Sequence, residues 1–526
     1  MKGNENLNVI PKKAKMNRRD FLVAMSAAGV SAALGISIRS PLVQAKTPSK
    51  GGVFRYALQS GSTSDTLDPL TIVDEYGRNI NWQLRNCLTE IDHKGEVIPE
   101  LAETWESTPD ATQWIFNIRK GVDFHNGKTL VAEDVIYSIN RHRGENSKSV
   151  VKSFVEPITE IKSDGKYTVM FNLDSGNADF PFLMSTEHLS IIPKETTDVS
   201  IGTGGYQLVQ FEPGVKCITK RNPNYWKNGR AHFNEVETLV IADVVARTNA
   251  IKTGSIDAMA FCDSRTAKLM EKWSNVEVLQ SQGGKHGTYP MLMDVPPYDN
   301  QDVRLALKYA IDRKQIVKIA LSGFGNVGND HPIAPYMRFF ASELPQREYD
   351  PDKARFHIKK AGMQNYTFKL HTAQGLFANS MDASLLYKEH AARAGINIQV
   401  VQEAKDGYWS NVWLKKPWCQ CQWSARPTED LMFTSAYAES APWNDTHWNH
   451  ERFNRLLKEA RSELDKNKRK EMYFEMQRIL RDEGGVVIPF FFDFIDAAST
   501  KIAFDKIASN YEMDGSRCAE RWWFAS

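Results

Sequence analysis

The chain has 526 residues, of which 42% are hydrophobic, 25% charged and 11% aromatic; that balance excludes disorder, a collagen-like fibre and a polytopic membrane protein, and the length calls for about three domains or two large lobes. The formal charge of +2 is uneven, because residues 1–45 hold seven Lys and Arg against Glu5 and Asp20, which leaves −3 for the remainder. A weakly acidic body does not suit nucleic acid, whose binding rests on phosphate neutralisation.

The first 45 residues read as an address. A basic start precedes Phe21–Ile38, 18 residues without a charge, and Val43-Gln44-Ala45 follows as a small-x-small cleavage pattern. That order predicts a secretory signal peptide cleaved near Ala45, with an uncleaved membrane anchor as the alternative. Asn17-Arg18-Arg19-Asp20-Phe21-Leu22 resembles the twin-arginine export motif and sits where that motif belongs. The expected mature protein starts near Lys46, soluble in the bacterial periplasm, and no cysteine stands at the cleavage site for a lipid anchor.

Strands and helices then alternate irregularly. Trp114, Phe116 and Ile118 have the period of a half-buried strand, as do Tyr167, Val169, Phe171 and Leu173, and Ile396, Ile398 and Val400. Glu133-Asp134 reads as a helix start, where negative charge complements the dipole. Val303, Ala306, Leu307, Ala310 and Ile311 form one buried helical stripe, with Asn300 as its N-cap. Phe453, Leu456, Leu457, Ala460 and Leu464 form a second stripe. Met472, Met476, Ile479 and Leu480 form a third, which ends at Gly484-Gly485. There is no internal repeat and no low-complexity linker, which suggests domains that the chain crosses more than once.

Catalytic signatures are missing. Gly323-Phe324-Gly325-Asn326-Val327-Gly328 spells G-x-G-x-x-G, but a helical pattern precedes it and His331-Pro332 follows, so it reads as a glycine-rich loop and not a dinucleotide site. No G-x-S-x-G, H-E-x-x-H or Walker sequence occurs. The six cysteines do not make a disulfide scaffold. Cys419 and Cys421 would face one side of a strand, but His447 and His450 complete no established metal-ligand spacing. No cofactor and no metal are expected.

Five blocks in order resemble the family 5 extracellular solute-binding proteins, the peptide, nickel and opine receptors of ABC importers. The first is Pro99–Trp105 with Gln113–Gly127 and Ala132–Val135. Then come Gly202–Tyr206 with Lys220–Trp226, Pro296–Asp312, Tyr349–Arg355 with Ala361-Gly362, and Arg469–Arg481 leading to Ile488-Pro489. Gly205 stands where the family carries proline. The resemblance implies an α/β, two-lobed periplasmic-binding-protein clamshell of type II, cluster C-like, with a third domain inserted in lobe I. It places the lobe I core at 46–80, 202–288 and 487–526, the accessory domain at 81–201 and lobe II at 289–486, with the hinge near 289 and 487. The implied function is capture of a small peptide or peptide-like, opine-like solute by a monomer. An inner-membrane permease with its ATPase would receive the solute, and no bond in it would be made or broken.

Six tryptophans fall between 409 and 448. Trp413 and Trp418 read as core. Trp423 opens the loop that the resemblance places in the cleft, and flat aromatic walls with a few polar groups suit ligand pockets. Where dipeptide receptors of the family carry an aspartate for the ammonium group, this chain has Ser424, Ala425 and Arg426, which puts a free-amine dipeptide in doubt. Arg426 is expected to anchor an anion, the other reading being a salt bridge to Asp430. Further expected contacts are Ser60, Tyr76, Gln374, Asn444 and Trp448. The alternative function is an exported enzyme that folds before translocation; a third is a receptor that signals to a sensor.

Overall fold

The computed structural model describes residues 48–525. The signal peptide, the twin-arginine pair and the cleavage site lie outside the described residues. Among the described residues no helix is long and apolar enough to cross a membrane.

A seven-stranded sheet organises the first body. Its order is Val276–Ser281, Phe494–Ser499, Ala258–Met259, Val53–Leu58, Glu235–Val240, Lys216–Arg221 and Tyr206–Glu212. Val53–Leu58 runs parallel to both neighbours. Alternation decides its two faces: Phe54, Tyr56 and Leu58 enter one core, where Phe54 stacks on Phe233 at 4.4 Å, and Ala57 enters the core on the other side.

The second body is built on Gly325–Val327, Val486–Phe492, His286–Pro290 and Cys421–Trp423. Bridges at Met291–Trp418 and His371–Cys419 extend it to the parallel pair Thr367–Ala373 and Asn397–Glu403. Val486–Phe492 is apolar throughout because it lies between two cores. Val487 and Phe490 face one, and Val486, Ile488 and Phe491 face the other. A third, antiparallel sheet has the order Ala102–Ser107, Gln113–Ile118, Thr168–Leu173, Ile158–Ser163. Its inward positions Trp114, Phe116, Val169, Phe171 and Leu173 are those the period-2 pattern selects.

The helical stripes form in the main, but Leu464 lies beyond its helix and is exposed, and Ala310 and Ile311 are buried just past the end of theirs. Helix Gln301–Tyr309 starts at Asn300, whose side chain accepts from the Asp302 amide at 2.8 Å. Helix Glu451–Ser462 ends before Leu464, and helix Lys466–Glu483 stops at Gly484. Asp134 closes the start of helix Ala132–Asn140 by accepting from the Val131 amide at 3.0 Å.

The glycine-rich loop expected at 323–328 is not found as such. The G-x-G-x-x-G stretch is not a free loop, since Gly325–Val327 is an edge strand on Val486–Phe492. A Cβ at Gly325 would lie 2.6 Å from the Phe491 carbonyl oxygen, and one at Gly328 would lie 2.2 Å from that of Ile488. The glycines permit close approach of two backbones, not of a phosphate.

Two crossings join the first and second bodies. The strand ending at Ser281 leads into the one beginning at His286, and Val486–Phe492 leads back into Phe494–Ser499. They run side by side, with a Cβ at Gly283 falling only 2.3 Å from the Phe492 carbonyl oxygen. Asp493 accepts from Gln280 of one body at 2.5 Å and from Asn326 of the other at 2.6 Å. All six cysteines are buried and unpaired.

Candidate ligand cleft

A cavity of about 830 Å³, its mouth included, lies where the three sheets' surroundings meet. Helix Glu75–Leu84 contributes Trp82, and its own start is fixed by Asp74, which accepts from the Gly77 amide at 2.9 Å. The C-terminal segment contributes Tyr511, Gly515, Arg517 and Arg521, and the turns that follow strand Thr168–Leu173 of the third sheet contribute Phe182 and Glu187. From the second body come Tyr336, Arg338 and the run Ala425, Arg426, Pro427 and Glu429. Helix Glu429–Ala436 starts there because Thr428 accepts from the Leu431 amide at 3.2 Å.

The C-terminal wall rests on an unusual backbone. Met513, Asp514 and Gly515 are all left-handed, with φ of 51°, 62° and 68°. Two non-glycine residues in that region cost of order 1 kcal/mol each or more. Buried carboxylates hold them in place, since Asp496 accepts from the Met513 amide at 2.6 Å and Asp514 from the Ala508 amide at 2.8 Å. Burial pushes the Asp496 carboxyl up to about 7.

Most charges on these walls are already paired. Arg517 bonds Glu100 and Glu520 at 2.9 Å each and lies 3.9 Å from the Trp82 ring centroid. Arg521 bonds Glu90 at 2.6 Å and Asp514 at 3.1 Å. Arg338 bridges Asp179 at 2.8 Å and Glu429 at 3.3 Å. Asp179 also takes a two-pronged contact from Arg469, at 2.8 and 2.6 Å, and these guanidinium groups hold its carboxyl well below the usual range against the opposing effect of burial. The Trp82 indole N–H is buried without a partner among the described residues.

Of the residues expected from sequence, Arg426 lines this cavity. Asp430 pairs with Arg461 at 3.2 Å, so the alternative salt bridge to Arg426 is not formed. Arg426 instead faces two indoles, 5.7 Å from the Trp423 centroid and 5.8 Å from that of Trp443. Trp423 stands behind it, buried, its indole N–H donating to Asp445 at 3.1 Å, and Trp413 donates to the same oxygen at 3.1 Å. Burial pushes Asp445 up to about 6.

The other five lie elsewhere. Ser60 is half-buried, and its amide donates to Glu75 at 2.9 Å. Tyr76 is fully buried in the first core, where its hydroxyl donates to the Glu212 carbonyl at 3.0 Å. Gln374 is exposed beyond strand Thr367–Ala373. Asn444 ties its own loop, donating to the Trp448 carbonyl at 2.7 Å, and Trp448 stacks on His450 within the second body's core. Trp418 is core, edge-on to Tyr387. His447 pairs with Asp294 and His450 with Glu483, apart from the buried Cys419 and Cys421.

Sequence reasoning missed Trp82, Phe182, Glu187, Tyr336, Arg338, Tyr511, Arg517 and Arg521. No local pattern marks them. Arg517 and Glu100 are 417 positions apart, and only the folded chain brings them together.

Comparison with known proteins agrees with the fold. Residues 96–445 match the bacterial extracellular solute-binding proteins, family 5 middle region. The chain is 25% identical over 471 residues to the dipeptide-binding protein of Escherichia coli strain K12, covering 81% of this chain and 85% of that one. The structure of HbpA2 from Haemophilus parasuis superposes with a TM-score of 0.80 at 21% identity, over 88% of this chain and 99% of the other. The periplasmic binding protein DppA of Helicobacter pylori, solved with the peptide STSA, gives a TM-score of 0.69 at 21% identity, over 91% and 99%. The architecture is a two-lobed α/β clamshell of type II.

Proposed function

We propose, from the premise that the chain belongs to the family 5 bacterial extracellular solute-binding proteins, that it captures a small peptide or a peptide-like, opine-like acid and delivers it to an ABC permease. One observation carries this reading: a cavity walled by both lobes, which are themselves joined by two adjacent crossings. Relatives named for dipeptides and oligopeptides, and a neighbour solved with agropinic acid, support the solute class.

The lobe I core comprises 46–80, 202–288 and 487–526, the accessory domain 81–201, and lobe II 289–486. An open cleft admits the solute with its water. Closure strips that water, and contacts made to both walls give the closed form its differential affinity. Arg426 anchors an anionic group, because its fork is held by aromatic faces and consumed by no carboxylate among the described residues. The protein works in the periplasm as a monomer, after export through the twin-arginine route and cleavage near Ala45. It presents the closed shape to a permease and its ATPase, holds no cofactor, binds no nucleic acid and leaves the solute unchanged.

Mass spectrometry of whatever co-purifies with the protein tests this directly. The identified solute should raise the melting temperature by mass action and make the scattering profile more compact. A flat response across peptides and related acids would overturn the reading, and a chemically altered solute would favour the exported-enzyme alternative.

A further inference from the structure

The two faces of the cleft carry opposite, unbalanced charge. On the lobe II wall, Arg426 has no carboxylate within ion-pair reach among the described residues, and its one hydrogen bond runs to the Ser424 carbonyl at 3.4 Å. Its neighbour Arg338 is saturated by Asp179 and Glu429. Glu429 is likewise spent, its second oxygen accepting from the Phe339 amide at 3.0 Å. One guanidinium on this wall therefore stays free.

The facing wall has the converse imbalance. Arg78 serves two carboxylates at once, Glu187 at 3.2 Å and Glu512 at 3.3 Å. Glu512 uses Oε1 again for Asn79 at 3.3 Å and Ser516 at 2.8 Å. Glu187 gives only Oε1 to Arg78, and its Oε2 takes no hydrogen bond from any described residue. Two carboxylates share one guanidinium here, and the only other basic group recorded against Glu187 is the His188 ring, whose Nδ1 lies 3.9 Å from the same Oε1, so Oε2 is left open to a cation. The neighbourhood registers the excess: burial first, and the Glu512 charge second, raise Glu75 to about 7. Arg517 and Arg521, farther along the wall, are occupied by their own carboxylates.

We propose that the cleft selects a dipolar solute in one orientation, its carboxylate on Arg426 of lobe II and its cationic group at Glu187 on the opposite wall. The inference rests on the reading of a captured peptide-like solute and adds its end groups and direction. The 424–426 loop offers no carboxylate for an ammonium group, and Glu187 supplies one from across the cleft. A singly charged molecule satisfies one jaw in either state. A molecule charged at both ends spans the jaws only when they meet, which is the differential interaction that closure requires. Exclusion of water then strengthens both contacts.

The test uses the mature protein and a pooled library of di- to pentapeptides in four forms: free, N-acetylated, C-amidated and blocked at both ends. Species retained after gel filtration are identified by mass spectrometry and their affinities measured by calorimetry. Retention should be confined to the free pool, and blocking either end of a retained peptide should weaken binding by about tenfold or more. Arg426→Ala should abolish the penalty for amidation, and Glu187→Gln the penalty for acetylation, each with an unchanged circular dichroism spectrum. Equal retention of acetylated or amidated peptides overturns the dipolar assignment while leaving a peptide receptor intact. If no pool is retained, the peptide-like reading fails and the assignment with it. The end-blocking comparison decides the matter even if Glu187→Gln proves unstable.

Discussion

Glu75 shows how a single buried carboxyl sets both local structure and pH response. It stands at the first position of helix Glu75–Leu84, and its Oε1 accepts from the Gln59 and Ser60 amides at 2.6 and 2.9 Å. Burial outweighs those bonds and raises it from its ordinary 4.5 to about 7. The folded state therefore holds this proton more tightly than the unfolded state. The resulting stability is complete below the unfolded value and is lost as pH rises through about 7. Glu75→Gln keeps the acceptor oxygen and removes the charge. Its unfolding free energy from urea titration should match the parent at about pH 4.5 and exceed it by about 1 kcal/mol or more at about pH 8; equal values at both pH values would refute the assignment. Arg426 makes the complementary case, since its side chain is tied to no carboxylate among the described residues. Arg426→Ala should leave thermal stability within about 0.5 kcal/mol while costing about 1.5–3 kcal/mol in affinity for an acidic solute, as calorimetry would read.

Elements carry the next layer, and here legibility is uneven. Helix Gln301–Tyr309 was readable because its stripe and its cap are local: Val303, Ala306 and Leu307 repeat with the helical period, and Asn300 caps by a contact two residues away. The short strand Gly325–Val327 was not readable as a strand, since its partner lies more than 150 residues downstream and glycines signal permissiveness without saying to what. The cleft fared likewise. The 424–427 loop came into view through family resemblance, whereas Trp82, Tyr336 and Arg517 reach the cavity from three distant segments. Helix Lys466–Glu483 illustrates what distance conceals: Arg469 is buried against Asp179, 290 positions earlier in the chain, and no local pattern announces that pair. Breaking such a pair strands a buried charge, at about 3–5 kcal/mol. Asp179→Asn should lower the denaturation free energy by about that amount, and a change under about 1 kcal/mol would show the pair to be dispensable.

For the molecule as a whole, the crossings at 281–286 and 492–494 decide what can move. Gly283 lets them touch, so Gly283→Ala should push them apart. The variant should shift the small-angle scattering of the solute-free protein and weaken binding although no lining side chain is substituted; an unchanged radius of gyration would count against that role. The six thiols have a different consequence. All are buried, and burial pushes the Cys217 thiol up to about 12 and likewise raises those of Cys262 and Cys419. The native molecule should thus be silent to maleimide dyes near neutrality, while the denatured chain exposes six reactive sites. It is a ready background for fluorophore labelling: cysteines introduced on the outer faces of the two jaws would take dye alone, and energy transfer between them would follow opening and closing one molecule at a time.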